Sequence, residues 1–211
     1  MKQFLADLLD TLPWSRFRGI PKADRHTVRE WDRSGRPAPP PHVVKQMNLR
    51  AIARRRGLKT LVETGTYYGA MIDALCRDFD TIYSIELSED LHRQAVLRFA
   101  NQPHVELVRG DSGQELKNLL KRIKNPSLFW LDGHYSAGVT ARGEKDTPIV
   151  EELSHIFSTP DIGHVIYVDD ARCFGVEPGY PTVEELGAFV KAHRPNSQIV
   201  VVDDAIRITP L

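Results

Sequence analysis

From residue 59 onward the chain alternates between two textures. Short apolar runs are separated by longer stretches in which apolar residues return every three or four positions. The first texture suits strands buried on both faces, and the second suits amphipathic helices. The runs Lys59–Glu63, Thr81–Glu86, His104–Val108, Leu128–Asp132 and Val165–Asp169 predict strands. Helices are predicted near 69–78, 89–100, 112–123 and 148–157, the last with Thr147 as cap and Pro148 in its first turn. Thr182-Val183-Glu184-Glu185 is a capping-box pattern that opens a helix over 183–193. Gln198–Val202 and Ala205–Thr209 flank Asp203-Asp204 and read as a β-hairpin. Upstream, Val43, Val44, Met47, Leu49, Ile52 and Ala53 suit a helix closed by Gly57.

Strand–helix alternation demands a mostly parallel sheet with helices on both faces. The expected fold is therefore α/β: a three-layer, Rossmann-like sandwich whose mostly parallel sheet gains an antiparallel strand from the C-terminal hairpin. Residues 1–41 differ. Phe4, Leu5, Leu8 and Leu9 have helical spacing that Pro13 stops. Residues 14–41 are largely polar and basic, carry Trp14 and Trp31, and end in Pro37, Pro39, Pro40 and Pro41. A proline cluster lacks backbone donors and favours extended chain. The expected organisation is a helical arm and Pro-rich linker over 1–41, which could pin a second subunit, then one domain over 42–211.

The 211 residues suffice for one core burying roughly 70% of the unfolded surface. Lys+Arg and Asp+Glu both number 28, and zero net charge argues against a dedicated nucleic-acid binder, which needs a basic surplus. No apolar run approaches the roughly 18 residues of a membrane span. Asp7 and Asp10 interrupt the start before a signal-peptide core can form, and Cys76 and Cys173 make no ligand-spaced pair. A cytoplasmic protein is expected.

In parallel sheets, ligands bind where strands end. The first strand runs into Glu63-Thr64-Gly65-Thr66-Tyr67-Tyr68-Gly69. Gly65 permits a tight turn close to a ligand, and Gly69 permits close helix packing. A dinucleotide fingerprint needs glycine where Tyr67 and Ala70 stand, which disfavours a nicotinamide-dependent oxidoreductase. The second strand ends in Glu86, 21 positions after Gly65, where a carboxylate can accept the hydroxyls of a ribose. The third leads to Gly110-Asp111-Ser112, where Asp111 or Ser112 would serve equally as a helix cap. The acid-x-Gly-x-x-x-Gly turn, followed by acids at the next two strand ends, resembles the class I S-adenosylmethionine (SAM) methyltransferases. That resemblance implies SAM as cofactor, bound by Glu63, Gly65, Thr66, Tyr67, Gly69, Glu86, Asp111, Ser112 and Asp132.

The fourth strand ends in Asp132-Gly133-His134 and the fifth in Asp169-Asp170. If these strands are neighbours, three carboxylates converge, and their mutual repulsion calls for a cation. Oxygen-only ligands select a hard divalent ion such as Mg²⁺. This part resembles divalent-metal-dependent O-methyltransferases of the catechol and antibiotic-sugar types, and an uncharacterised bacterial group within the superfamily. The resemblance implies Asp132, Asp169 and Asp170 as metal ligands, with Asp132 also at the catalytic centre. His134 stands where the sugar-modifying enzymes have an acid as base. Histidine can serve as a base near neutral pH. The implied activity is methyl transfer to a small hydroxylated acceptor, such as a sugar. A metal-independent methyltransferase and a non-catalytic SAM-binding module remain as alternatives. For the basic run Arg50, Arg54, Arg55, Arg56 and Lys59, a solvated helix end competes with a phosphate contact.

Overall fold

The computed structural model describes residues 21–132 and 148–211. Helices α1 (Lys22–Arg33) and α2 (His42–Arg56) precede β1 (Thr60–Thr64). Then follow α3 (Ala70–Leu75), β2 (Thr81–Glu86), α4 (Glu89–Arg98), β3 (Val105–Arg109), α5 (Ser112–Leu120) and β4 (Leu128–Leu131). The chain closes with α6 (Ile149–Phe157), β5 (Val165–Val168), a short 3-10 turn at Ala171–Cys173, α7 (Val183–His193), β6 (Ser197–Val202) and β7 (Ala205–Pro210). The seven strands form one sheet in the order β3-β2-β1-β4-β5-β7-β6. β1 to β5 pair in parallel, while β7 runs antiparallel to both β5 and β6.

Strand alternation sends neighbouring side chains to opposite faces, and both faces are buried. Val62, Phe129 and Ile166 pack beneath Leu116 of α5, Leu153 of α6 and Leu186 of α7. Leu61, Leu128, Trp130 and Tyr167 pack on the other side with Ile52 of α2, Ile72 of α3 and Ala95 of α4. This two-sided burial is why the central parallel strands β4 and β5 read as unbroken apolar runs, whereas the edge strand β3 is only half-buried and carries Glu106. The hairpin turn uses Asp203 (φ 47°) and Asp204 (φ 61°), residues that tolerate the left-handed region a tight two-residue turn requires. Thr182 and Glu185 form the expected capping box: the Thr182 hydroxyl accepts from the Glu185 amide at 3.1 Å, and the Glu185 carboxylate accepts from the Thr182 amide at 2.8 Å.

Three details differ from the sequence expectation. A twelve-residue helix, α1, occupies part of the stretch read as linker. Only Val28 and Trp31 of α1 are buried, against Val44 and Met47 of α2, which is too sparse for a periodic stripe. The Trp31 indole also donates to the Pro37 carbonyl at 2.8 Å, folding the proline-rich segment back on α1. Helix α3 stops after six residues, because the chain turns at Cys76 to reach β2. Pro148 itself holds the N-cap position of α6, and the expected cap Thr147 lies outside the described residues.

The basic run has a structural job. Arg50 and Arg54 both donate to the Asp78 carboxylate, at 2.7 and 2.8 Å, Arg50 also reaches the Ala74 carbonyl, and Arg56 reaches the Pro210 carbonyl. These contacts fasten α2 to the turn after α3 and to the end of β7. Among the described residues, no helix is long and apolar enough to cross a membrane.

Candidate functional site

Register brings the strand ends together. Ile85, Thr64, Leu131 and Val168 are successive partners across β2, β1, β4 and β5. The residues that follow them, Glu86, Gly65, Asp132 and Asp169, therefore emerge side by side along one edge. Backbone hydrogen bonds extend the pairing one step further: Gly65 N–H to Ile85 O, Asp132 N–H to Thr64 O and Asp169 N–H to Leu131 O, at 3.0 to 3.1 Å.

At the β1–β2 part of this edge, the chain turns sharply through Gly65 (φ 84°), Tyr67 (φ 49°) and Gly69 (φ 75°). The turn exposes the Tyr67 amide, which donates to one oxygen of Glu86 at 2.8 Å, and the Ser88 amide donates to the other at 2.8 Å. The Glu86 carboxylate is thus fixed beside the glycine turn, with a lone pair to spare on each oxygen. Glu63 lies beneath the turn, fully buried. Its carboxyl accepts from the Ser84 hydroxyl at 2.5 Å, and burial pushes it up to about 8, so it holds a proton at neutral pH. Thr66 is buried with its hydroxyl 2.6 Å from that of Ser84. Asp111 caps α5, accepting from the Gly113 amide at 2.8 Å, and Ser112 begins that helix.

At the β4–β5 part, Asp132, Asp169 and Asp170 each place a carboxylate oxygen within 4.8 Å of the other two. Asp169 and Asp170 are buried. Burial and the nearby Asp132 push Asp169 up to about 7, against the pull of Lys45. The Asp169 Oδ1 atom is buried with no hydrogen-bond partner, which is costly for a carboxylate. An all-oxygen donor set containing one unsatisfied buried oxygen fits a hard divalent cation. Asp170 adopts φ 57° and is held by Arg172, whose guanidinium donates to Asp170 Oδ1 at 2.6 Å and also to Asp204. Asp204 in turn accepts from the Ala171 and Arg172 amides.

Sequence reasoning did not place five neighbours in this site. Lys45 of α2 donates to Asp169 Oδ2 and lies 3.6 Å from Asp170 Oδ1. His42, one turn earlier on the same helix, lies within electrostatic reach of Asp132. Arg172 and Asp204 brace Asp170, and buried Glu152 of α6 adds another acid near Asp111 and Asp132. Burial pushes Glu152 up to about 7. Arg172 follows Asp169-Asp170 closely along the chain, whereas Lys45, His42, Glu152 and Asp204 reach the site only through packing between distant elements. His134 lies outside the described residues. Cys173 is buried and donates to Glu177 at 3.2 Å, and burial raises its thiol to about 12, so it is no nucleophile.

No family model and no curated protein matches the chain. Solved structures do. The O-methyltransferase TomG from Streptomyces achromogenes, involved in tomaymycin synthesis and solved with SAM, superposes with a TM-score of 0.59 at 19% identity, covering 90% of each chain. An O-methyltransferase from Bacillus cereus, solved with S-adenosylhomocysteine (SAH), gives 0.56 at 17% identity, covering 92% of this chain and 93% of that one. The SAH-bound methyltransferase PaMTH1 from Podospora anserina gives 0.57 at 17%, covering 100% and 97%. The strand order and these likenesses agree: the chain has the fold of the SAM-dependent O-methyltransferases.

Proposed function

We propose that the protein transfers a methyl group from SAM to the oxygen of a small hydroxylated acceptor, such as a sugar, with a hard divalent cation at the three aspartates. One observation carries this reading: in a methyltransferase fold, the clamped Glu86 and the Asp132–Asp169–Asp170 cluster lie along a single strand-end edge.

The glycine turn brings backbone close to the cofactor, and Glu86 accepts from the ribose hydroxyls with an orientation its two amide donors already hold. Asp111 and Ser112 face the adenine end. Asp132, Asp169 and Asp170 hold the cation, and Arg172 and Asp204 keep Asp170 aimed. The chemistry such a cation supplies is Lewis acidity, which lowers the pKa of a hydroxyl beside it. The acceptor oxygen attacks the sulfonium methyl carbon in line, the carbon–sulfur bond breaks with its electron pair going to sulfur, and SAH leaves. The acceptor proton passes to His134 as base. Holding both reactants on one rigid sheet edge replaces a bimolecular encounter by an oriented one.

The test is transfer of labelled methyl from SAM to a panel of hydroxylated acceptors, sugars included, in chelator and after Mg²⁺ is restored. Transfer that stops in chelator, returns with Mg²⁺ and is lost in Asp169→Asn is the expected result. Undiminished transfer in chelator would remove the metal from the reading. Transfer to none of the panel, with SAM bound, would favour a non-catalytic SAM-binding module.

A further inference from the structure

We propose that Lys45 is a tethered counter-cation of the three-aspartate cluster: it shares the carboxylates when no divalent ion is present and gives them up when one binds. The inference rests on the metal reading above and concerns how this chain sets the affinity of that site.

Lys45 reaches the cluster from α2, 124 positions before Asp169, and its side chain is 13% exposed. Its ammonium donates to Asp169 Oδ2 and lies 3.6 Å from Asp170 Oδ1. Counting both cations and their partners, the carboxylates of Asp132, Asp169, Asp170 and Asp204 outnumber Lys45 and Arg172 by two, and a divalent cation complements that excess. The ammonium is also an incomplete partner, because Asp169 Oδ1 remains buried without a donor. A divalent ion that takes up this oxygen would stand within a few ångströms of the ammonium. Two cations at that separation repel strongly in a partly buried site.

Lysine is suited to withdrawal. Its charge sits on a flexible four-carbon stem, unlike the rigid fork of arginine. The Lys45 nitrogen already lies over the Trp130 ring, 5.8 Å from its centroid, so the ammonium has an aromatic partner that does not depend on the carboxylates. The other cation at the cluster, Arg172, is tied to both Asp170 and Asp204 and has no such freedom. The two basic residues therefore divide the work: Arg172 braces a ligand and Lys45 competes for one. Metal affinity is then weaker than the three aspartates alone would give, and ion binding releases an ammonium toward the site.

The experiment titrates Mn²⁺ into the full chain after chelator treatment and desalting, for wild type, Lys45→Met and Lys45→Gln, with SAH titration of each as a check on folding. Both variants should bind Mn²⁺ at least tenfold more tightly than wild type while SAH affinity is retained. Should either variant fail to bind SAH, the other decides. Mn²⁺ binding that is equal or weaker in a variant that still binds SAH overturns the inference, leaving the metal site intact and Lys45 as a strut for Asp169. SAH binding with no Mn²⁺ signal in any of the three proteins overturns the metal reading and this inference together.

Discussion

Replacing Glu63 by Gln isolates the most strongly perturbed acid under the glycine turn. Burial raises its carboxyl from 4.5 to about 8, opposed by the Ser84 hydrogen bond, so the folded protein keeps a proton that the unfolded chain releases above pH 4.5. The sign follows from proton counting. Between the two values the folded state binds more protons, so stability falls as pH rises from about 4.5 and levels off above about 8. At about 1.4 kcal/mol per pH unit, the loss between pH 5 and pH 8.5 is about 4 kcal/mol, or about 8–16 °C in Tm for a chain of this size. Glutamine matches the shape of the protonated acid, gives Ser84 a carbonyl to donate to, and does not titrate. Glu152 titrates in both proteins and cancels in their difference. Urea unfolding of chelator-treated wild type and Glu63→Gln at pH 5 and pH 8.5 should show the variant losing less stability than wild type by several kcal/mol. Parallel pH dependence, within about 1 kcal/mol, would refute the claim that Glu63 folds as a neutral acid.

Two further substitutions test the cofactor side. Glu86→Ala leaves the Tyr67 and Ser88 amides without their acceptor and removes the proposed ribose contact. SAH affinity should fall at least about tenfold, with about 1–3 kcal/mol lost from stability, and unchanged affinity by calorimetry would exclude Glu86 from the cofactor site. Gly69→Ala puts a methyl 2.6 Å from the Phe99 ring at φ 75°, a backbone conformation that side chains resist. Chemical denaturation should show a loss of about 1–3 kcal/mol, and a neutral result would mean that the turn relaxes freely.

The central parallel strands were legible because both their faces are buried, so β1, β2, β4 and β5 appear as short apolar runs with the acids of the site at or just beyond their ends. The pairing of β4 with β5, on which convergence of Asp132 with Asp169 depends, followed from topology rather than from any motif. Helix α1 was hidden because only Val28 and Trp31 of its residues are buried. Lys45 was hidden for a different reason: nothing local marks a lysine whose partner lies 124 positions away. Asp204 was legible only as a hairpin residue, yet the pairing of β7 beside β5 brings that turn against Arg172 and makes it part of the brace on Asp170. Alternation and turn chemistry reveal elements, whereas contacts between distant elements need the fold.

The most direct test of the account is a calorimetric titration of SAH into chelator-treated protein, repeated after Mg²⁺ is added and accompanied by a Mg²⁺-only titration. SAH should bind at micromolar concentration in the absence of metal, and the three aspartates should give a separate Mg²⁺ signal. Absence of SAH binding in both conditions would contradict the central claim and leave a methyltransferase fold put to another use.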